Sequence, residues 1–182
     1  MQKKLLLSSQ QLDLAITRLS HQLIENHRDF ENTVIIGLQP RGIYPAARIK
    51  SKLEQILNHE IPIGYLDITF YRDDFRRREK PAKANATNIP FIIEDKKVIL
   101  IDDVLFTGRS VRAALDAMTA FGRPELVELL VLINRKYTRN LPIEPNYTGK
   151  NVNTLSTQRV FVEWTETGAK SDSIWLGNKP NS

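Results

Sequence analysis

At 182 residues, 41% hydrophobic and 26% charged, the chain is long enough to bury about 70% of its unfolded surface as a single domain over residues 1–182. It has no cysteine, which excludes a disulfide framework and any thiolate metal site. A net charge of +5 mildly favours anionic partners such as phosphates or nucleic acid. The opening MQKKLLLSSQ is too poor in apolar residues for a signal peptide or a membrane span, so a cytoplasmic protein with no membrane partner is expected.

In chain order, Ser8 or Ser9 caps a helix whose apolar positions Leu12, Ile16, Leu19 and Leu23 keep helical spacing. TVIIGL (Thr33 to Leu38) reads as a buried strand, QPRG as a loop, and Ile43 to Leu57 as a helix that tolerates Pro45 in its first turn. IGYLDITFY (Ile63 to Tyr71) is the next strand, and Arg72 to Asn88 turns polar and charged. Val98 to Ile101 forms a strand, Ser110 to Phe121 a helix, and Leu126 to Ile133 another strand. Beyond Asn134 come Pro- and Asn-rich chain and two short strand-like runs, RVFVEW and SIWLG. Strands alternating with helices imply right-handed crossovers and an α/β fold with a largely parallel sheet. His21 falls in the first helix, while His27 and His59 lie at helix ends, where a surface role is expected.

VILIDDVLFTGRS (Val98 to Ser110) carries the chemistry. Ligands of parallel sheets bind at the carboxyl ends of strands, where Asp102 and Asp103 fall. Thr107 to Ser110 then opens a helix whose first N–H groups lack partners, and Gly108 allows close backbone approach. With the Thr107 and Ser110 hydroxyls and the Arg109 charge, that turn suits a phosphate. Hydrogen bonds to a charged group contribute about 1.5–3 kcal/mol each. Two carboxylates beside a phosphate repel it unless they grip something neutral. Ribose hydroxyls fit, with Mg²⁺ offsetting charge. The plainer alternative is that the two acids only cap a turn, which needs one carboxylate rather than the whole constellation. Neither G-x-G-x-x-G nor a Walker P-loop occurs.

VILIDDVLFTGRS resembles the phosphoribosyl-pyrophosphate (PRPP) motif of type I phosphoribosyltransferases. Purine enzymes of that class carry an aspartate just before the Thr-Gly; Phe106 stands there and points away from purines. The fuller segment DDVLFTGRSVRAALDA is similar to the PyrR family of pyrimidine-operon attenuators and uracil phosphoribosyltransferases. ITRLSHQLIE, RGIYPAARI, DITFYRDD, FGRPELVELLVLINR and LPIEPNYTGKN extend the resemblance over most of the chain.

The resemblance implies a type I phosphoribosyltransferase fold with a mobile lid over about 72–88 and a small hood over about 135–162. It implies catalytic roles for Asp102, Asp103, Arg41 and Arg72. PRPP and uracil contacts fall to Pro40, Arg41, Asp102, Asp103, Val104, Leu105, Phe106, Thr107, Gly108, Arg109, Ser110, Arg135 and Val160. Arg41 follows the first core strand in the position of the pyrophosphate loop, where Pro40 replaces the usual polar residue; a plain strand-to-helix turn is the alternative. In the lid, Arg72, Arg76, Arg77, Arg78, Lys80 and Lys83 outnumber Asp73, Asp74 and Glu79, although a charge run is more often a solvated loop. Arg72, at the strand end, is the lid residue chosen. Asn134 and Arg135 match an Asp-Arg pair beneath uracil, with the acid lost. Val160 lies near the base through its backbone.

The implied products are UMP and pyrophosphate, with Mg²⁺ as cofactor and no residue assigned as a dedicated metal ligand. A second implied activity is binding of a pyrimidine-operon mRNA hairpin in response to UMP or UTP, through Thr17, Arg18, His21 and Lys150. Against it, Asn26 and Glu144 stand at positions that are basic in the family, and NRKYTRNLP is one residue longer than the usual form. A polar face is also what any surface helix presents. An enzyme without RNA regulation, and a sensor with little catalysis, are the alternatives. The resemblance further implies dimers or tetramers.

Overall fold

The computed structural model describes residues 3–73 and 84–178. In order they form β1 (Lys4–Leu7), α1 (Ser9–His27), β2 (Thr33–Leu38), α2 (Ile43–Leu57), β3 (Ile63–Leu66) and β4 (Lys97–Leu105). There follow α3 (Arg109–Met118), β5 (Leu126–Lys136), β6 (Tyr147–Asn153), β7 (Gln158–Glu163) and β8 (Ser173–Asn178). Five strands make a parallel sheet in the order β3-β2-β4-β5-β6, and three make a small sheet in the order β1-β8-β7. No helix among the described residues is long and apolar enough to cross a membrane.

Each start and stop has a local cause. Ser8 caps α1 with a reciprocal pair: its Oγ accepts from the Gln11 N–H at 3.3 Å, and its own N–H donates to Gln11 Oε1 at 3.0 Å. Pro45 sits in the first turn of α2, where its missing N–H costs nothing. Alternation then sorts the sheet's side chains between two layers. Ile35, Ile99, Ile101, Leu130 and Leu132 pack against α1 and α2 with the small sheet beyond, while Ile36, Val98, Leu100, Leu129 and Val131 pack against α3. Each such buried side chain contributes about 1.5–3 kcal/mol relative to exposure.

The structure departs from the sequence expectations in five places. The strand expected over Ile63 to Tyr71 stops at Leu66, because Asp67 Oδ1 accepts from the Thr69 hydroxyl at 2.7 Å and turns Thr69–Tyr71 into a 3₁₀ turn. β4 continues past Ile101 to Leu105, with Asp102 registered to Val131 and Leu105 to Asn134. β1 and β6 were not foreseen: β1 is four residues long, and β6 is an edge strand burying only Tyr147 and Val152. The hood expected over 135–162 divides between the two sheets. Arg135 and Lys136 complete β5, β6 joins the large sheet, and β7 enters the small one with β1 and β8 from the chain's ends. Finally, His27 is not a surface residue; its ring is buried between Thr33, Glu128 and Tyr147.

Candidate active site

The sheet order places one strand connection to the left of β2 and the rest to its right. The carboxyl ends of β2 and β4 therefore flank a topological switch point, where open α/β sheets bind ligands. Pairing between β2 and β4 ends at Gly37 and Ile101, so β4 runs on with that edge uncovered just where its two acids begin. An open cavity of about 280 Å³ lies there, lined by Gln39, Pro40 and Arg41 after β2, Asp102, Asp103 and Val104 of β4, and Ser110 of α3. Ile68, Thr69, Arg72 and Asn85 close its third side.

The Gln39–Arg41 loop presses hard on β4. Gly42 makes this approach possible: a Cβ there would lie 2.4 Å from the Ile101 carbonyl oxygen and 2.7 Å from that of Leu38. The Gln39–Pro40 peptide is cis. Arg41 Nε donates to Asp103 Oδ2 at 2.8 Å, and its terminal nitrogen donates to the Val162 carbonyl of β7. One guanidinium thus ties the β2 loop, the acid pair and the small sheet together. Asp102 faces a different balance. Its Oδ1 accepts the Asp103 N–H at 2.8 Å, but desolvation first and the neighbouring Asp103 charge second push its pKa well above the usual carboxylate range.

Gly108, at φ +90°, is the N-cap of α3 and makes no side-chain cap bond, and Ser110 of that first turn lines the cavity. A Cβ at Gly108 would meet Ile143 Cδ1 at 3.3 Å in addition to the strained dihedral. Thr107 Oγ1 lies 3.5 Å from the Arg109 N–H, and Ser110 Oγ accepts from Arg72 Nη1 at 2.8 Å. Arg109 pairs with Asp73. Val104 lines the cavity, whereas Leu105 is buried against the α3 layer.

Farther along, the Phe106 ring lies under the Arg135 guanidinium, 3.9 Å from its centroid. Arg135 is buried, which lowers its pKa, and is held by Thr154 Oγ1 at 2.9 Å and the Gln158 carbonyl at 3.1 Å. Asn134, where an acid was expected, donates to Asn151 Oδ1 at 2.9 Å and accepts from Arg139. Arg139 also donates to the Arg135 carbonyl at 3.0 Å and to the Phe106 carbonyl, fastening the segment after β5 to the turn before α3. Val160 buries its side chain and registers with Leu176 of β8. In an antiparallel pair, backbone groups of alternate residues share one edge. Since the Gln158 and Val162 carbonyls turn to Arg135 and Arg41, the N–H and C=O of Val160 face the gap between those two side chains.

The sequence missed Gln39, Thr69 and Asn85 on the cavity wall, and Arg139, Thr154 and the Val162 carbonyl behind it. None carries a local signal; each is recruited by the fold. Of the lid residues, Arg76, Arg77, Arg78, Lys80, Lys83, Asp74 and Glu79 lie outside the described residues.

The RNA-face candidates lie on neighbouring elements. Arg18 of α1 donates to the Gly149 carbonyl at 2.7 Å, next to Lys150 in β6, and Thr17 and His21 lie on the same helix. Lys150 Nζ donates to the Leu6 carbonyl at 2.9 Å. Asn26 donates to the Tyr147 hydroxyl at 2.9 Å, and Glu144 lies 3.8 Å from Arg139.

A parallel sheet with an acid pair and an open helix end meeting at its switch point is the architecture of a phosphoribosyltransferase, and residues 3–166 match the phosphoribosyl transferase domain family, to which the chain belongs. Similar solved structures agree on the fold. A hypoxanthine phosphoribosyltransferase of Trypanosoma cruzi superposes with a TM-score of 0.71 at 14% identity, covering 97% of both chains. One from Staphylococcus aureus gives 0.68 at 19%, covering 97% of this chain and 93% of that one. Within that class the chain is a member of the PyrR family. Bifunctional protein pyrR of Enterococcus faecalis (strain ATCC 700802 / V583) is 42% identical over 180 residues, 98% of this chain and 100% of the relative. Bifunctional protein PyrR of Deinococcus radiodurans is 46% identical over 165 residues, 91% of this chain and 90% of the relative.

Proposed function

We propose that the protein transfers the phosphoribosyl group of PRPP to uracil, forming UMP and pyrophosphate. The observation that carries this reading is one cavity lined by the Asp102–Asp103 pair, by Ser110 of the first turn of α3, and by Arg41, which bonds Asp103. In the reaction Asp102 and Asp103 accept hydrogen bonds from the ribose hydroxyls. The turn from Thr107 to Ser110 holds the 5-phosphate on backbone N–H groups and hydroxyls. Arg41 and Arg72 supply positive charge to the cavity in which the leaving pyrophosphate gains negative charge. The C1–O bond to pyrophosphate breaks, its electron pair leaving with pyrophosphate, as the uracil nitrogen bonds C1 and gives up its proton to pyrophosphate or solvent; little covalent help from the protein is required.

The donor set suits Mg²⁺, a hard ion that prefers oxygen ligands and takes few from protein when phosphates and water supply the rest. Asp102 and Asp103 are the carboxylates on the cavity, and no group of three or more acidic or histidine side chains suited to a metal occurs among the described residues. Bound there with PRPP, Mg²⁺ would offset the charge of the acids and of pyrophosphate.

For the base, Phe106 and Arg135 form a flat surface, and the paired N–H and C=O of Val160 match the alternating donor and acceptor edge of a pyrimidine. Product assays with uracil, hypoxanthine, guanine and adenine at equal concentration test the choice. Uracil is expected to dominate by roughly two orders of magnitude, the scale of discrimination that pocket shape and polar complementarity reach. Purine turnover equal to uracil's would overturn it.

A second activity, UMP- or UTP-responsive binding of a pyrimidine-operon mRNA hairpin through Thr17, Arg18, His21 and Lys150, is supported by the contact between Arg18 of α1 and the carbonyls of Thr148 and Gly149, next to Lys150 in β6. Asn26 and Glu144 lower the positive charge available to phosphates. Filter binding of a leader hairpin and a scrambled one, with and without UMP, separates regulator from enzyme alone. Loop-dependent, UMP-enhanced binding supports regulation, since unpaired bases are what RNA readers recognise. Equal weak binding of both removes it. A single domain acting as a cytoplasmic homodimer or tetramer completes the proposal.

A further inference from the structure

The chain just after β3 is fastened to the first turn of α3 by a pair of adjacent side chains. Arg72 Nη1 donates to Ser110 Oγ at 2.8 Å. The next residue, Asp73, pairs its carboxylate with the Arg109 guanidinium and lies 3.8 Å from Arg112 Nη1. Three guanidinium groups thus gather at the open helix end that the proposed function gives to the 5-phosphate. Among the described residues, the Asp73 carboxylate is the anion that meets Arg109 there. It is chemically a poor substitute for phosphate, with one negative charge and two acceptor oxygens, yet through one of those oxygens it already takes the Arg109 guanidinium that flanks the turn.

Resting on that reading of the helix end, we propose that Asp73 is an internal competitor for the phosphate and sets the affinity of the site for phosphorylated ribose. A phosphate arriving at Ser110 and Arg109 must share or displace the Asp73 carboxylate, and the two anions repel each other while both remain. Arg72 is tied to its neighbour: the segment that carries the competing anion, Asp73, also carries a cation, Arg72, already seated on Ser110. Occupation of the helix end by phosphate is thereby linked to the position of the chain leaving β3. The same competition weakens retention of the 5-phosphate in UMP, so it acts on substrate and product alike.

Asp116 supplies an internal control. It lies on the same helix, 3.7 Å from Arg112, with equal charge and no contact to Arg109. The test titrates the full-length chain with ribose 5-phosphate by calorimetry and measures KM for PRPP and for uracil. Asp73→Asn is expected to bind ribose 5-phosphate roughly two- to fivefold more tightly, the scale of a partly exposed ion pair. KM for PRPP should fall in step while KM for uracil holds. Asp73→Glu, which keeps the charge, should return toward wild type, and Asp116→Asn should leave the affinity unchanged.

Unchanged or weaker binding by Asp73→Asn would overturn the proposal and make Asp73 a structural brace. Equal tightening by Asp116→Asn would overturn it in favour of a diffuse charge effect. Failure of the wild-type chain to bind ribose 5-phosphate at all would remove the phosphate reading of the α3 turn, and this inference with it.

Discussion

The two ends of the parallel sheet bury acids in opposite ways. At the amino end, Glu128 Oε2 receives the His27 ring at 2.6 Å and the Tyr147 hydroxyl at 2.9 Å. The other ring nitrogen of His27 lies 3.1 Å from Thr33 Oγ1, and Asn26 donates to Tyr147. Each side chain of that cluster has a hydrogen-bond partner within it, and together they lock α1 to β2, β5 and β6. At the carboxyl end two adjacent carboxylates stand side by side, the Arg41 guanidinium bonds Asp103, and Asp102 is driven toward its protonated form. A closed network stabilises the fold; an unbalanced one holds capacity in reserve for a ligand.

The contrast is sharpest in substitutions that trade stability against activity. Asp103→Asn should lower kcat/KM for PRPP by about 10² or more, the cost of misplacing a reacting group, with circular dichroism unchanged. Wild-type activity would break the comparison by making the acids ornamental. Asp102→Asn should lose activity similarly while melting at a higher temperature at pH 7. The sign follows from linkage: a carboxyl whose folded pKa is raised binds its proton more tightly when folded, so stability falls as pH climbs from about 4 through the raised value. The gain in melting temperature from Asp102→Asn should therefore shrink as pH is lowered toward 4.

At the amino end the effects reverse. His27→Ala leaves Glu128 and Thr33 without the ring, and should cost about 1–3 kcal/mol in urea unfolding while kcat/KM of the folded fraction is retained. Smaller still is Tyr147→Phe, at about 1 kcal/mol near neutrality. Burial, the largest influence, pushes the Tyr147 phenol up to about 12. Stability from the neutral phenol is thus complete below pH 10 and lost as pH rises through 10 toward 12. Alkaline titration of the melting temperature should show that decline in wild type and lose it in Tyr147→Phe.

Much of this was legible from residue order. The apolar runs of β2, β4 and β5 carry the burial of the sheet, the periodicity of α1 marks its inner face, and the acid pair beside a Thr-Gly turn marks the site. The failures have physical causes. β6 holds too few apolar residues to announce itself, because an edge strand covered on one face needs only Tyr147 and Val152 inside. The strand ending at Leu66 looked longer because Ile68 to Tyr71 is apolar enough to continue it, and a single side-chain bond from Thr69 to Asp67 ends it. His27 looked like a surface residue at a helix end because its partners are distant in sequence: Glu128 lies 101 residues on and Tyr147 lies 120 on.

The sequence by itself determined the α/β class, the position of the acids at a strand end and the open turn after them, since burial period, carboxylate type and glycine freedom are local properties. Only the tertiary structure decided what faces those groups. It set Arg41 on Asp103, turned the edge of β7 toward Arg41 and Arg135, and brought Asp73 to Arg109 across 36 residues. Charge and hydrogen-bond capacity belong to a residue, but the partner that satisfies or opposes them is set by how distant segments pack.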